Sequence, residues 1–319
     1  MATDVTGGRK GKSVKPSRFR SAEFSLGLIS TPLFLIFLAF TYVPLFGWAI
    51  AFIDYSPGKP IFQSHFVGLF NFMKITYNLK EFFLVMRNTL ALGILSIVMT
   101  VVPLILALMI NELRSIKYKR IVQTVTSFPN FISWVIVYAL SFALFSVDDG
   151  IINKLLQQMG IWAKPHDLLA NAKAVWPFQT FLSVWKTAGY SAIIYLSAIA
   201  GIDSEQYDAA KVDGANMFQE IWHITLPGIM ATYVIILILT VGNILSNGFE
   251  QYYVFHNAQT HESIEILDTY TYRLGIERMD FPFATAIGMF KSLTSIILVS
   301  ISAFIAKKAT GTGLFSKSG

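Results

Sequence analysis

Residues 207–228 read YDAAKVDGANMFQEIWHITLPG and lie between two long apolar stretches of the chain. Ala210 and Gly214 stand four residues apart, a spacing that places side chains on one face of a helix. Pro227 stands where the next apolar stretch begins, and proline is well tolerated in the first turn of a helix. The pattern predicts a short helix, a turn at Gly214, and a second short helix that leads into the apolar stretch.

The residues alone leave two interpretations of this segment open. Tyr207 and Ala210 are expected to share a helical face with Gly214 and with Met217 or Phe218, and the small residues on it allow another backbone to approach closely. Asp208 is expected near the start of the first helix, where the helix dipole stabilises a negative charge. These features fit a docking element for another protein, and they also fit a solvated loop.

The composition of the chain indicates a membrane protein. Of 319 residues, 54% are hydrophobic and 14% are charged, whereas soluble domains carry about 25% charged residues. Apolar runs of roughly 20 residues, long enough to cross a bilayer, recur along the sequence. We therefore predict an all-α polytopic membrane protein. Because cysteine is absent, disulfides and thiolate sites are excluded.

Apolar runs predict six membrane spans, at 26–53, 88–110, 121–145, 175–200, 228–245 and 283–306. Pro32 and Pro44 are expected to kink the first span, and FPNF at 128–131 is expected to break the third. Between the third and fourth spans, apolar residues at helical spacing predict a short helix at the membrane interface. These residues are Ile151, Ile152, Leu155, Leu156 and Met159.

The distribution of Lys and Arg predicts the orientation of the chain. They cluster near the N-terminus, in NELRSIKYKR at 111–120, and near the C-terminus, and such clusters favour the cytoplasmic side. We expect a disordered basic tail over 1–25, a transmembrane domain over 26–306 with a cytoplasmic loop at 201–227, and a second cytoplasmic tail over 307–319. The basic residues are not interleaved with aromatic ones, so nucleic acid is not an expected partner.

Sequence features that suggest cofactors or catalysis are weak. TGGRKGKS at 6–13 ends like a phosphate-binding loop, but that motif needs glycine where Thr6 stands and an apolar strand before it. The five histidines do not follow a metal-ligand spacing. A membrane-embedded enzyme would need clustered histidines and carboxylates within the spans, which are nearly free of them. We expect neither a bound cofactor or metal nor catalysis on this chain.

The segment at 207–227 resembles the cytoplasmic signature of permease subunits in bacterial type I ABC importers. That signature reads Glu-Ala-Ala, three residues, Gly, nine residues, Ile-x-Leu-Pro. The match departs from the signature at one of its fixed positions, where an aspartate replaces the glutamate. The residues that carry the match are Asp208, Ala209, Ala210, Gly214, Ile224, Leu226 and Pro227. The six-span pattern is similar to the core of these permeases, so the resemblance covers most of the chain.

The resemblance implies a type I ABC importer permease fold in which the segment forms coupling helices that fit a cleft on a separate ATPase. Tyr207 and the matching residues are then the expected coupling residues. The implied partners are a second, homologous permease, two copies of the ATPase, which carry ATP and magnesium, and an extracytoplasmic solute-binding protein. That protein is expected to contact 148–172 and 248–282. The implied location is the lipid bilayer of a bacterial inner membrane. Because the side chain of Asp208 is shorter than that of the family glutamate, the resemblance does not decide whether Asp208 makes the same charge contact.

Three further stretches resemble a narrower branch of this family, which takes up oligosaccharides or polysaccharides and includes the permeases of alginate importers. They are YVPLFGWAIAFIDYSPGKPI (42–61), TYTYRLGIERMDFPFATAIGMFKS (269–292) and GLFSK (313–317). The resemblance implies a carbohydrate substrate. The alternatives are a permease for another solute and a secondary transporter without an ATPase. The latter predicts inverted repeats, and no repeat is visible in the sequence.

Polar residues within spans usually face a bundle interior or an aqueous cavity and are candidates for the substrate path. Asn243, Asn247 and Glu250 recur every three to four residues, which predicts one shared helical face. Gln251 lies just beyond them. Lys186 and Lys291 could each attract the carboxylate of an acidic sugar; alternatively, Lys186 snorkels from the outer end of its span and Lys291 pairs with a partner subunit. Aromatic candidates for stacking on sugar rings are Tyr190, Tyr195, Tyr252 and Tyr253.

Overall fold

The computed structural model describes residues 17–310, and the regular secondary structure of this range is helical. The chain divides at residue 49 into two units. The basic residues before 17, the stretch at 6–13 and the tail from 311 onward lie outside the described range. The predicted all-α class is confirmed.

The N-terminal unit is built on helix α1, Ser17–Tyr42. This helix begins within the stretch predicted as a disordered tail over 1–25, so residues 17–25 are helical. The helix continues through Pro32 and changes to a 3₁₀ helix, Val43–Phe52, one residue before Pro44. Proline has no N–H to donate, which explains why the α-helical hydrogen bonding ends there.

The second unit contains the remaining helices. Two 3₁₀ segments cover Ile61–Gln63 and Phe128–Phe131, and two π-helical segments cover Ile221–Thr225 and Arg273–Glu277. The α-helices are α2 Phe70–Tyr77, α3 Leu79–Met99, α4 Val101–Asn111, α5 Ile116–Ser127, α6 Trp134–Phe145, α7 Ile151–Gln158, α8 Val175–Ala200, α9 Ser204–Val212, α10 Met217–Glu220, α11 Leu226–Gly242, α12 Phe249–Val254, α13 His261–Ile264, α14 Leu267–Tyr272 and α15 Phe281–Thr310.

Four helical stretches are long and apolar enough to cross a membrane: Ser30–Phe52, Leu79–Asn111, Met217–Gly242 and Phe281–Lys308. Helices α5 and α6 form a fifth if they are counted together as one broken span. They are bent by 100° at the predicted FPNF break. The remaining predicted span, the fourth at 175–200, corresponds to α8. This helix is about 39 Å long at 1.5 Å per residue, but its many hydroxyl and small side chains make it less apolar than the other five.

Helix α8 lies at the centre of the second unit. It packs against α3, α4, α5, α11 and α13, and it buries side chains along its whole length, from Val175 to Ile199. The contact with α5 depends on Gly189, where a Cβ atom would lie 2.0 Å from the carbonyl oxygen of Thr126. The two backbones can therefore touch only because this residue has no side chain.

The chain between α11 and α15 folds into short helices that are fixed to α3. The buried amide of Asn88 donates to the carbonyl oxygens of Glu262 (2.9 Å) and Glu265 (3.0 Å). The hydroxyl of Thr89 accepts a hydrogen bond of 2.9 Å from the backbone N–H of Leu267. The short helix predicted after the third span is present as α7, and Asn153 anchors it to the end of α6 by donating to the carbonyl of Ser146 (2.9 Å).

Replacing Gly189 with alanine should destabilise the bundle, because α5 and α8 would have to separate. Overpacking of this kind costs about 1–3 kcal/mol. The matched control is Gly288→Ala, another helical position, where an added Cβ meets nothing within 4 Å. We expect thermal unfolding of the detergent-solubilised protein to shift to lower temperature for G189A only. Equal unfolding temperatures for the two variants would contradict the close contact.

Candidate functional site

Residues 203–225 form the predicted pair of short helices around a glycine turn. The carboxylate of Asp203 caps α9 by accepting a hydrogen bond of 3.0 Å from the N–H of Glu205. Gly214 then adopts a φ of +78°, a backbone conformation that favours glycine. Asn216 and Gln219 form a capping box at the start of α10, with reciprocal hydrogen bonds of 2.8 and 3.0 Å.

Two details of this segment differ from the prediction. Asp208 lies in the middle of α9 because Asp203 occupies the cap, and its Oδ1 is 3.7 Å from Nζ of Lys211 with both side chains exposed. Gly214 lies in the turn after the helix, so it does not share a helical face with Ala210. Instead, these two small residues help to line a surface cavity of about 330 Å³ between α9 and α10.

The segment is joined to α11 by a hydrogen bond between side chains. The hydroxyl groups of Tyr207 and Thr225 are 2.9 Å apart, and Thr225 is buried. Pro227, the second residue of α11, cannot donate a backbone hydrogen bond, and the preceding turn is π-helical, closed by a bond from the N–H of Leu226 to the carbonyl of Ile221. Helix α9 is thus connected directly to the base of α11.

The same segment exposes several large apolar side chains among its polar ones. Val212 is 88% exposed, Phe218 is 75% exposed and Trp222 is 68% exposed. Ala209, Gly214 and Pro227 are also exposed, while Ile224 and Leu226 are half-buried. Exposed apolar patches rimmed by polar residues are typical of protein interaction sites.

A second candidate site is a cavity of about 260 Å³ between α3, α8 and α11. The side chains that line it are uncharged, and many carry a hydroxyl or an amide group. The hydroxyl-bearing residues are Ser96, Thr100, Thr180, Ser183, Thr187, Ser191, Tyr195, Thr240, Ser246 and Tyr252, and the amide-bearing residues are Asn243 and Asn247. Hydroxyl and amide groups donate and accept hydrogen bonds, so the lining suits the polar, uncharged surface of a ligand.

Of the four polar residues predicted within or just beyond the fifth span, two reach this cavity. Asn243 and Asn247 line it, and their amides donate to the carbonyls of Leu239 (3.0 Å) and Thr89 (2.8 Å). The predicted shared helical face is wrong, because α11 ends at Gly242 and Glu250 belongs to α12. Gln251 is buried away from the cavity.

Gly242, the last residue of α11, and Gln251 both contact neighbouring helices. Gly242 packs so closely on α15 that a Cβ atom would lie 2.1 Å from a Val299 methyl group, and Gly248 turns the chain with a φ of +92°. The amide of Gln251 donates to the carbonyl (2.9 Å) and side-chain oxygen (2.8 Å) of Gln179. These bonds hold α12 against α8.

Neither predicted lysine lines the cavity. Lys186 is buried near the middle of α8, donates to the carbonyl oxygen of Asn130 (2.7 Å) and lies 5.5 Å from the ring centroid of Trp134. The alternative that it snorkels from the end of its span is therefore wrong. Lys291 pairs with Asp268 of the same chain, which replaces the predicted pairing with a partner subunit. Both lysines have structural partners.

The predicted tyrosines divide between the cavity and the surrounding packing. Tyr195 and Tyr252 line the cavity. Tyr190 makes an edge contact with Phe131, with ring centroids 6.3 Å apart, and Tyr253 stacks on Phe249 at 4.8 Å.

The cavity residues that sequence reasoning missed lie on one face of α8. Thr180, Ser183, Thr187 and Ser191 are spaced three or four residues apart, and Tyr195 continues the series. This spacing is visible in the sequence and could have indicated a polar stripe. Serine and threonine are common within membrane helices, however, so the signal is weaker than that of a buried lysine.

A network of ion pairs fixes the segment after α13 to α3. The guanidinium of Arg273 donates to Glu265 (2.6 and 2.9 Å) and to Glu81 (2.7 Å). Burial alone would lower the pKa of Arg273, but these bonds outweigh it and raise the pKa above its ordinary value. Because Glu265 is buried, this pairing offsets its desolvation.

Two histidines near this network share a hydrogen bond, with Nε2 of His256 lying 2.7 Å from Nδ1 of His261. Burial and the neighbouring His261 lower the pKa of His256. Within residues 17–310, no group of three or more His, Asp or Glu side chains is arranged to hold a metal ion.

Comparisons with known proteins agree on one family. Residues 99–310 match the family described as binding-protein-dependent transport system inner membrane component. Over 291 residues the chain is 42% identical to protein LplB of Bacillus subtilis (strain 168), covering 91% of both chains. It is equally identical, over 91% of its length and 90% of the relative's, to the polygalacturonan/rhamnogalacturonan transport system permease protein YteP of that organism.

Solved structures show the same architecture. One is a bacterial ABC transporter involved in the import of the acidic polysaccharide alginate, with a TM-score of 0.81, 32% identity, and coverage of 92% of this chain and 98% of that chain. Another is a bacterial alginate ABC transporter in complex with an alginate pentasaccharide-bound periplasmic protein. Its TM-score is 0.83, with 32% identity and coverage of 93% and 99%.

A bundle of apolar helices long enough to cross a membrane, with a cavity lined by hydroxyl and amide groups and a paired-helix loop, fits a membrane permease. The chain belongs to the binding-protein-dependent transport system inner membrane component family. The predicted type I ABC importer permease fold is thereby confirmed, and family membership favours an ABC permease over the alternative of a secondary transporter.

Replacing Arg273 with methionine should strongly destabilise the protein, since Glu265 would remain buried without its countercharge. The expected loss is about 3–5 kcal/mol. Arg278→Met is the matched control: Arg278 also contacts Glu81, at 3.4 Å, but its side chain is 48% exposed, so about 1 kcal/mol or less is expected. Thermal unfolding of the solubilised protein measures both, and similar losses would contradict the assignment.

Proposed function

We propose that this chain is one permease subunit of an ATP-driven bacterial importer of oligosaccharides or polysaccharides, coupled to a separate ATPase through residues 207–227. The observation that carries the proposal is the hydrogen bond between Tyr207 and Thr225. It links the short helix α9 to α11, and α11 contributes Ile236 and Thr240 to the wall of the cavity. A displacement of α9 is thereby transmitted to the cavity.

The coupling residues fall into two groups in this proposal. Asp208, Ala209, Ala210 and Gly214 lie on or beside the surface that enters the ATPase cleft, next to the exposed apolar side chain of Phe218. Tyr207, Ile224, Leu226 and Pro227 connect that surface to α11. Asp208 supplies the negative charge of the family glutamate on a shorter side chain. Lys211, 3.7 Å away, competes with the ATPase for this carboxylate.

The other partners follow from the family. A second permease completes the path across the bacterial inner membrane, and a pair of ATPase subunits binds ATP and magnesium. A solute-binding protein docks on the face opposite 207–227, at 148–172 and 248–282, and both termini lie in the cytoplasm. The alginate transporter bound to a periplasmic protein supports this arrangement.

The proposed substrate is a saccharide that contains uronic acids. The supporting observations are the substrates named for the relatives, polygalacturonan/rhamnogalacturonan and alginate. Within this chain, Asn243 and Asn247 contact the saccharide together with the hydroxyl residues of the cavity. Lys186, Tyr190, Glu250, Gln251 and Lys291 shape the surrounding bundle, because their side chains do not line the cavity.

Replacing Gly214 with tryptophan tests the coupling role. A Cβ atom added there meets nothing within 4 Å in this chain, so a tryptophan can extend into open space and obstruct a partner. We expect binding-protein-stimulated ATP hydrolysis and saccharide uptake by the reconstituted complex to fall at least tenfold.

The matched control is Gly58→Trp. Gly58 has a φ of +91° and equally open surroundings, but it lies outside 207–227 and outside the segments proposed to contact the binding protein. The two variants share the same backbone strain, so a deficit confined to G214W reports obstruction. Full activity of G214W, or equal loss in both variants, would show that this loop does not dock on the ATPase.

A further inference from the structure

Five hydroxyl groups form a continuous stripe along α8. Thr180, Ser183, Thr187, Ser191 and Tyr195 all line the cavity, and each is three or four residues from the next. At 1.5 Å per residue the stripe is about 22 Å long. It is therefore longer than one sugar unit and follows the direction of the helix across the bundle.

Hydroxyl groups within helices can present their oxygen atoms to the cavity. Thr187 donates its hydrogen to the carbonyl of Ser183 (2.8 Å), and Thr240 on α11 donates to Ile236 (2.9 Å). Each such oxygen keeps lone pairs that can accept a hydrogen bond from a ligand. The two facing helices thus present acceptors to the hydroxyl groups of a saccharide.

Tyr195 at the inner end of the stripe has an unused hydroxyl group. The residue is 1% exposed, and its hydroxyl oxygen makes no hydrogen bond to any residue of the described range. Buried polar groups almost always have a partner. Tyr195 lines the cavity, and a rotation of its side chain would bring this shielded hydroxyl to a molecule bound there, which could supply the missing partner.

The cavity offers no countercharge to an acidic ligand. None of its lining residues is charged, and the two buried lysines are bonded elsewhere, Lys186 to a backbone carbonyl and Lys291 to Asp268. An unpaired carboxylate is costly to bring into such a site. The charge of an acidic saccharide must therefore be met outside this wall.

We propose that this subunit provides an uncharged hydroxyl track for an acidic oligosaccharide, with Tyr195 as the innermost hydrogen-bond donor and the sugar carboxylates turned toward the partner permease. The inference rests on the proposed function. It assigns recognition of the sugar hydroxyls to this chain and recognition of the charge to its partner.

The test removes the hydroxyl group of Thr187, which lines the cavity. The variant is Thr187→Val, and the control is Thr124→Val, at an exposed helical threonine outside the cavity whose hydroxyl also donates to the carbonyl four residues earlier (2.8 Å). Uptake per ATP hydrolysed is measured in proteoliposomes with the complete complex, at saturating binding protein loaded with tetragalacturonate or an alginate tetrasaccharide, and with maltotetraose as a neutral probe. We expect T187V to lower uptake of the acidic and neutral probes by a similar factor, about threefold or more, because the track contacts hydroxyl groups that all of them carry, and we expect T124V to match the wild type.

A second measurement uses Tyr195→Phe, with Tyr190→Phe as the control at a tyrosine outside the cavity. We expect Y195F to lower uptake per ATP by about tenfold while assembly with the ATPase is unchanged, and Y190F to match the wild type. Unchanged uptake per ATP in Y195F would overturn the role of Tyr195.

The remaining outcomes separate the inference from the function on which it rests. A loss in T187V that is confined to the acidic probes would overturn the uncharged track, and so would uptake of maltotetraose but of neither acidic saccharide by the wild-type complex. Failure of every saccharide to stimulate ATP hydrolysis by the wild-type complex would overturn the proposed function itself and the inference with it.

Discussion

The hydrogen bond from Lys186 to the carbonyl of Asn130 (2.7 Å) satisfies the strongest constraint on this fold, which is that every backbone carbonyl freed by a helix break must find a donor. An apolar medium supplies no donor to a free backbone carbonyl, so a broken helix needs partners from its neighbours. The break between α5 and α6 frees such groups at a bend of 100°. Lys186 donates to one of them, and Gly189, one turn further along α8, allows the backbones at Thr126 to touch. The bend is therefore fixed against α8.

This contact determines which parts of α8 remain available for the cavity. Lys186 and Gly189 face the bend, whereas Ser183, Thr187 and Ser191 face the cavity. A helix face that packs on protein or lines a cavity can carry polar groups that a lipid-facing surface cannot. The same residues make α8 less apolar than the other spans. The departure of α8 from a simple hydrophobic span thus coincides with its role as a wall of the cavity.

Features that depend on a few consecutive residues could be predicted from the sequence. The helix–turn–helix at 203–225 follows from a capping aspartate, Gly214 and Pro227, and the break at 128–131 follows from its proline. The close packing of Gly242 against Val299 could not be predicted, because the two residues are 57 positions apart in the sequence. The partners of Lys186 and Lys291 were equally inaccessible, since a sequence shows a buried charge but not the distant group that compensates for it.

The geometry of α11 explains how a movement at one end can reach the cavity. The helix lies between two interruptions, the π-helical turn Ile221–Thr225 before it and the turn that follows Gly242. Between them the backbone hydrogen bonds are regular, so α11 can tilt as a rigid unit. Thr225 and Thr240 are about 22 Å apart along this axis. In the proposed mechanism, displacement of α9 pulls on Thr225 through Tyr207, and α11 carries that tilt to the hydroxyl groups that line the path.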